Sequence, residues 1–145
     1  FRVAIATNQS GLSRGYFTLD DLEKIHQRLY DLVEQQGGNI AGIFYCPHLP
    51  NEGCNCRKPA TGLLQAIESE LEESPAGAWF IGDSLKDLQA ARAYGCYPAL
   101  VTTGKGQDTA AKLADPAVDL ANPGKVPIFS NLTAAVDALL DEASA

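Results

Sequence analysis

Residues 78–102 read AWFIGDSLKDLQAARAYGCYPALVT, and their pattern is strand, helix, strand. AWFIG (78–82) is a short apolar run of strand length. Ser84 then opens a helix with Asp87 at the capping-box position, and Gly95 closes it. YPALVT (97–102) returns as a second strand. The same alternation runs upstream. RVAIAT (2–7) is a buried strand followed by the glycine-punctuated loop NQSGLSRGYF. Thr18, with Asp21 three residues on, caps a helix in which Leu22, Ile25, Leu29, Leu32 and Val33 recur at helical spacing until Gly37-Gly38 ends it. IAGIFYC (40–46) is a strand, PHLPNEGCNCRKPAT (47–61) a compact loop, and Leu63, Leu64, Ile67 and Leu71 mark a helix reaching about Glu73. Downstream, a short helix near 108–114, a short strand at AVDLA (117–121) and a last helix over roughly 131–142 complete the series.

Strands separated by helices of this length imply an α/β fold with a parallel sheet and right-handed crossovers. No repeat, low-complexity tract or linker interrupts the chain, so residues 1–145 are expected to form one domain. In such sheets ligands bind beyond the carboxyl ends of the strands. The loops to inspect are those after Thr7, Cys46, Gly82 and Thr102.

Composition narrows the partners. With 46% apolar and 20% charged residues the chain has a globular profile, and no apolar run is long enough to span a bilayer. A net charge of −7 argues against nucleic acid or an anionic membrane as partner. An anionic metabolite remains possible where cations gather locally, as at Arg57-Lys58 and at Arg14. No signal peptide is visible, so a cytoplasmic location is expected. The small acidic domain is expected to be a monomer.

Three of the four cysteines fall between positions 46 and 56. Cys46, His48, Cys54 and Cys56 spell C-x-H-x5-C-x-C, two short pairs that can supply the tetrahedral nitrogen and sulfur ligands zinc requires. Pro47, Pro50 and Gly53 shape the loop between them. No open coordination position is suggested, so the metal is expected to be structural. A disulfide within C-x-C would be strained. His26 is expected at the surface of its helix, and Cys96 as a small packed hydrophobe.

Three motifs suit phosphate chemistry. Thr7, at the end of its strand, can aim a hydroxyl and nearby N–H groups of TNQSG at a phosphoryl oxygen. Alone, that stretch reads rather more readily as a polar turn. Arg57 and Lys58 follow the ligand Cys56, where a metal-braced loop would hold both cations in place. Asp83 projects from the end of AWFIG and could hold magnesium. Helix capping already accounts for much of Ser84 and Asp87, so Asp87 carries a mixed duty. Phosphoryl transfer needs this set of groups, because its catalysis is mostly positioning and charge neutralisation.

In order and wording these motifs resemble the haloacid dehalogenase-like phosphohydrolases. Thr7, Lys58 and Gly82-Asp83 through Asp87 match that family's second, third and fourth motifs. The Cys/His loop resembles its small zinc-loop subgroup without a large cap. TNQSGLSRGYF, CPHLPNEGCNCRKP and GDSLKDLQAA resemble the heptose-bisphosphate phosphatases within that subgroup, over residues 1 to about 106. The resemblance implies a three-layer Rossmann-like α/β/α fold and an aspartate nucleophile that forms an aspartyl-phosphate. It implies catalytic magnesium bound by Asp83 and structural zinc. Thr7 and Lys58 would stabilise the transferring phosphoryl group, and Asn8, Gln9, Ser10 and Arg57 would contact a phosphosugar substrate. Its product would serve bacterial heptose and lipopolysaccharide synthesis. The family's first motif, D-x-D on a central leading strand, occurs nowhere in these 145 residues. The sequence as it stands is therefore expected to lack that strand and not to turn over. Histidinol-phosphate phosphatases carry a nearly identical zinc loop and are the alternative enzyme reading, although SGLSRG, with Arg14 and Gly15, favours the heptose enzymes. A non-catalytic zinc-stabilised module that binds a phosphosugar or a partner is the alternative of another class.

Overall fold

The computed structural model describes residues 1–118, 120 and 126–144. Its elements alternate as the sequence predicts: β1 (Ala4–Asn8), α1 (Leu19–Gln35), β2 (Gly42–Cys46), α2 (Gly62–Leu71), β3 (Trp79–Gly82), α3 (Leu85–Tyr94), β4 (Tyr97–Val101), α4 (Gly106–Leu113), β5 (Ile128–Phe129) and α5 (Leu132–Ser144). The chain forms two compact units, Phe1–Ser74 and Pro75–Ala145, each with its own parallel sheet.

In the first unit β1 and β2 pair in parallel, with Thr7 opposite Tyr45 and Asn8 opposite Cys46. Helix α2 packs against both strands through Leu63, Leu64 and Ile67, its buried face. Helix α1 starts where predicted. The Thr18 hydroxyl accepts from the Asp21 N–H, and the Asp21 carboxylate accepts from the Thr18 N–H. That exchange satisfies two of the orphan donors of a helix start, and the bond from the Thr18 backbone N–H, then its hydroxyl, lowers the Asp21 pKa. The apolar stripe of α1 is wider than the face its neighbours cover. Leu22 is buried, but Ile25 and Leu32 are 59% and 44% exposed. His26, expected at the surface, is half-buried with its ring tilted against Tyr45 at 5.6 Å. An imidazole has an apolar body that can cover a strand while a nitrogen stays wet.

In the second unit the strand order is β3-β4-β5, all parallel. The central strand β4 is buried from Pro98 to Val101. A proline in a central strand normally forfeits a ladder bond. Here the odd residue Tyr97 donates toward β3, at Ala78 O, while Leu100 donates away from it, at Pro127 O. Pro98 shares the alternation of Leu100, and β5 pairs only with Leu100 and Val101. Among the described residues no ladder partner therefore faces the missing N–H of Pro98. Leu88, Leu100, Leu120 and Val126 form the core, with Ala110, Leu113 and Val118 packed against it. Cys96 is buried as expected and its thiol donates to Pro75 O at 3.2 Å.

The predicted strand at AVDLA lies partly outside the described residues, at positions 119 and 121, and its other members form no strand. The edge strand is IF at 128–129. Two residues are too few to show an alternation, so only the ladder to β4 reveals it. Among the described residues no helix is long and apolar enough to cross a membrane.

Leu100→Ala should destabilise the protein by about 2–5 kcal/mol, the range for emptying a packed core site. Ser84→Ala should cost about 1 kcal/mol by removing the α3 cap. Urea unfolding midpoints measure both, and a smaller loss for Leu100 than for Ser84 would contradict this packing.

Candidate active site and metal cluster

The loop after β2 gathers four soft donors. Cys46, the last residue of β2, is fully buried. Its sulfur lies 3.4 Å from His48 Nδ1, 3.5 Å from Cys54 Sγ and 2.7 Å from Cys56 Sγ, and His48 Nδ1 lies 3.2 Å from Cys56 Sγ. All four ligand atoms fall within 4.8 Å of one another, and all four cysteines of the chain are free thiols. Thiolates bound tetrahedrally at about 2.3 Å sit roughly 3.8 Å apart, so a slight opening of this cluster makes a four-coordinate site. The loop is tied from several sides. The Glu52 carboxylate accepts from Leu49 N at 2.8 Å, the Ser13 hydroxyl donates to Pro47 O at 2.8 Å, and Gly53 turns at φ +70.

Proton sharing in the cluster also fits a cation. Burial works against a thiolate at Cys54, but bonds from the Arg57 backbone and the Cys46 and Cys56 thiols outweigh it and bring that thiol to about 6. Cys56 is pushed up to about 12, first by burial, then by its bonds to and the charges of Cys46 and Cys54. Three sulfurs at one point cannot all ionise unless a positive ion stands among them.

The end of β1 carries the candidate phosphoryl ligands. Gln9 N donates to Cys46 O and Ala41 N to Val3 O, so the odd residues of β1 turn their backbone groups toward β2. Ala6 therefore turns its carbonyl to the opposite edge, where Lys58 Nζ donates to it at 2.9 Å. Thr7 follows at once. Its hydroxyl accepts from Gln9 Nε2 at 3.2 Å, and its own proton reaches only Asn8 O, at 3.5 Å. That weak commitment leaves the proton available to an incoming oxygen. Asn8 is engaged elsewhere: its Oδ1 accepts from Lys58 N at 3.0 Å and its Nδ2 donates to Lys58 O at 3.4 Å. Arg57 donates to His48 O at 3.4 Å, which ties it to the metal loop. Ser10 accepts a long 3.5 Å bond from the exposed Arg14 Nε.

Asp83 belongs to the second unit, just beyond β3. Its Oδ2 accepts from Lys105 N at 3.0 Å, and its backbone carbonyl accepts from the Thr109 hydroxyl at 2.8 Å. The buried Asp87 carboxylate accepts from both Asp83 N and Ser84 N at 3.2 Å, while Asp87 N donates to Ser84 Oγ. Asp87 thereby shapes both the loop and the helix start. A side chain on Gly82 would run into Asp87, and one on Gly104 (φ +57) into Asp83.

The first unit thus brings together Thr7, Asn8, Gln9 and Lys58, and separately the four metal donors with Arg57 attached. The second holds Asp83 in a cradle of Asp87, Gly104, Lys105 and Thr109. The last three were not singled out from sequence. Gly104-Lys105-Gly106 after the strand ending at Thr102 was the available signal.

Comparison with known proteins supports this reading. The HAD-hydrolase-like family matches residues 55–125. The chain is 49% identical over 138 residues to a D-glycero-beta-D-manno-heptose-1,7-bisphosphate 7-phosphatase of Pseudomonas aeruginosa, covering 95% of this chain and 73% of that protein. It is 54% identical over 110 residues to the Pseudomonas putida protein of the same name, covering 76% of this chain and 63% of that one. The crystal structure of the D,D-heptose 1,7-bisphosphate phosphatase of Bordetella bronchiseptica, complexed with magnesium and phosphate, superposes with a TM-score of 0.86 at 41% identity, covering 97% of this chain and 75% of that one.

Asp87→Ala should cost about 1–3 kcal/mol, because it strips the acceptor from two backbone N–H groups. Gly104→Ala should cost more than about 1 kcal/mol, through its positive φ and the collision with Asp83. Denaturant titrations check both, and wild-type midpoints would refute the cradle.

Proposed function

The chain belongs to the D-glycero-D-manno-heptose-1,7-bisphosphate 7-phosphatases of the haloacid dehalogenase-like hydrolases, and from that premise we propose that its residues serve removal of the 7-phosphate from heptose 1,7-bisphosphate. The observation that carries the reading is the tip of β1. There an ammonium, Lys58 Nζ, stands one residue from the loosely committed hydroxyl of Thr7.

In the mechanism the family resemblance implies, an aspartate carboxylate of a D-x-D motif, absent from these residues, attacks phosphorus. The bond between phosphorus and the sugar O7 breaks, and the second aspartate of the motif protonates that oxygen. The same second aspartate, now deprotonated, takes a proton from water, whose oxygen attacks phosphorus; the bond to the first aspartate's oxygen breaks, releasing phosphate and restoring that carboxylate. Thr7 donates its hydroxyl proton to a non-bridging oxygen, and Lys58 neutralises the charge that spreads over the phosphoryl group. Gln9 holds the Thr7 hydroxyl in place. Ser10 and Arg57 contact the sugar or its remaining phosphate. Asp83 offers magnesium a carboxylate whose orientation its cradle fixes, and the ion when bound adds positive charge at the phosphoryl oxygens. Cys46, His48, Cys54 and Cys56 hold a structural zinc. Residues 1–145, inactive without a D-x-D motif, serve as part of one cytoplasmic, monomeric phosphatase domain on a small phosphosugar destined for bacterial heptose and lipopolysaccharide precursors.

The test uses a protein carrying this sequence together with a D-x-D strand. It should release phosphate from heptose 1,7-bisphosphate far faster than from histidinol phosphate; the reverse preference would overturn the substrate assignment. Lys58→Ala should lower kcat about 100- to 1000-fold, the scale for one lost charge-stabilising donor, with an unchanged circular dichroism spectrum. Retained turnover would remove Lys58 from the chemistry. Elemental analysis should find one zinc per chain, absent from Cys54→Ser; unchanged zinc in that variant would disprove the ligand set.

A further inference from the structure

Asn8 sits between Thr7 and Gln9 in a stretch whose polarity suggests direct substrate contact. Its geometry says otherwise. Successive side chains along a strand face opposite sides of the sheet. Thr7 and Gln9 share one side, as the 3.2 Å bond between them shows, and Asn8 takes the other. Both ends of its carboxamide meet the main chain of one residue, Lys58, fifty positions along the chain. A backbone N–H can only donate and a carbonyl can only accept, so this pair also fixes which end of the amide is oxygen. No other side chain of that length offers one donor and one acceptor so spaced.

We propose that Asn8 is a positioning residue that acts through Lys58 and not a ligand of the substrate. It clamps the Lys58 main chain beside β1, so that the four-carbon side chain delivers its ammonium to the tip of the strand at Ala6 O. The clamp is independent of the Cys/His cluster, which anchors the same loop from Cys46 to Cys56. A long, flexible lysine gives charge stabilisation only if its origin is fixed. With the backbone pinned at its N–H and C=O, the ammonium is the part of Lys58 that reaches a phosphoryl oxygen. The inference rests on the phosphatase reading above.

The experiment is a double-mutant cycle on the protein with its D-x-D strand, assayed on heptose 1,7-bisphosphate. Asn8→Ala should lower kcat about tenfold or more while KM stays within about threefold, since a group acting through Lys58 in the transition state leaves ground-state binding alone. In the Lys58→Ala background the same change should cost nothing further. Asn8→Asp, which keeps the shape and the acceptor for the Lys58 N–H but loses the donor to its carbonyl, should show the same kcat-only loss if Asn8→Ala folds poorly. A raised KM at unchanged kcat, or losses that add across the cycle, would overturn the proposal and make Asn8 a substrate contact. An inactive parent protein would overturn the phosphatase reading and the proposal with it, and would be seen before any variant is compared.

Discussion

The Lys58 ammonium, proposed to act on the phosphoryl group, is borne by a stretch of chain held from two directions. On one side the Cys46, His48, Cys54 and Cys56 donors draw the loop after β2 to a point. On the other the Asn8 carboxamide takes both backbone groups of Lys58. A lysine side chain carries about 2 kcal/mol of rotamer entropy. A mobile loop beneath it would add more disorder still. Fixing the origin of the side chain removes the larger uncertainty and leaves a short reach for the head group.

The second unit solves the same problem for a carboxylate. Asp83 follows directly on β3. Its N–H is held by Asp87, its carbonyl by Thr109, and one carboxylate oxygen by the Lys105 N–H. Two glycines, Gly82 and Gly104, leave the space these contacts occupy. The carboxylate so oriented presents its remaining oxygen with little conformational freedom, which suits a small ion that demands regular geometry. In both units the proposed functional side chain, Lys58 or Asp83, is only partly buried while its backbone is held by hydrogen-bonded partners.

Much of this was legible in the sequence because its signals are local. Capping boxes at Thr18 and Ser84 are three-residue relations and appear as read. The C-x-H-x5-C-x-C spacing converges as expected, because short pairs leave the chain few ways to close. What escaped the reading depends on distant pairing. β5 exists only as a ladder to Leu100 and Val101. The half-burial of His26 depends on Tyr45 lying across from it. The Asp83 cradle joins residues more than twenty positions apart. The family resemblance implies that Asn8 contacts substrate with its neighbours, whereas the proposed clamp rests on the strand's alternation and on the Lys58 main chain fifty positions away.

The central claim is that the Lys58 backbone is fixed while its ammonium moves to meet a phosphoryl group. Nuclear magnetic resonance of the protein with its D-x-D strand, titrated with inorganic phosphate in the presence of magnesium, follows both parts at once. The Lys58 Nζ resonance should shift on binding, while the Lys58 amide and the Asn8 side-chain NH2 signals stay in place. An Asn8 NH2 signal that moves with phosphate beside an indifferent Lys58 Nζ would contradict the account.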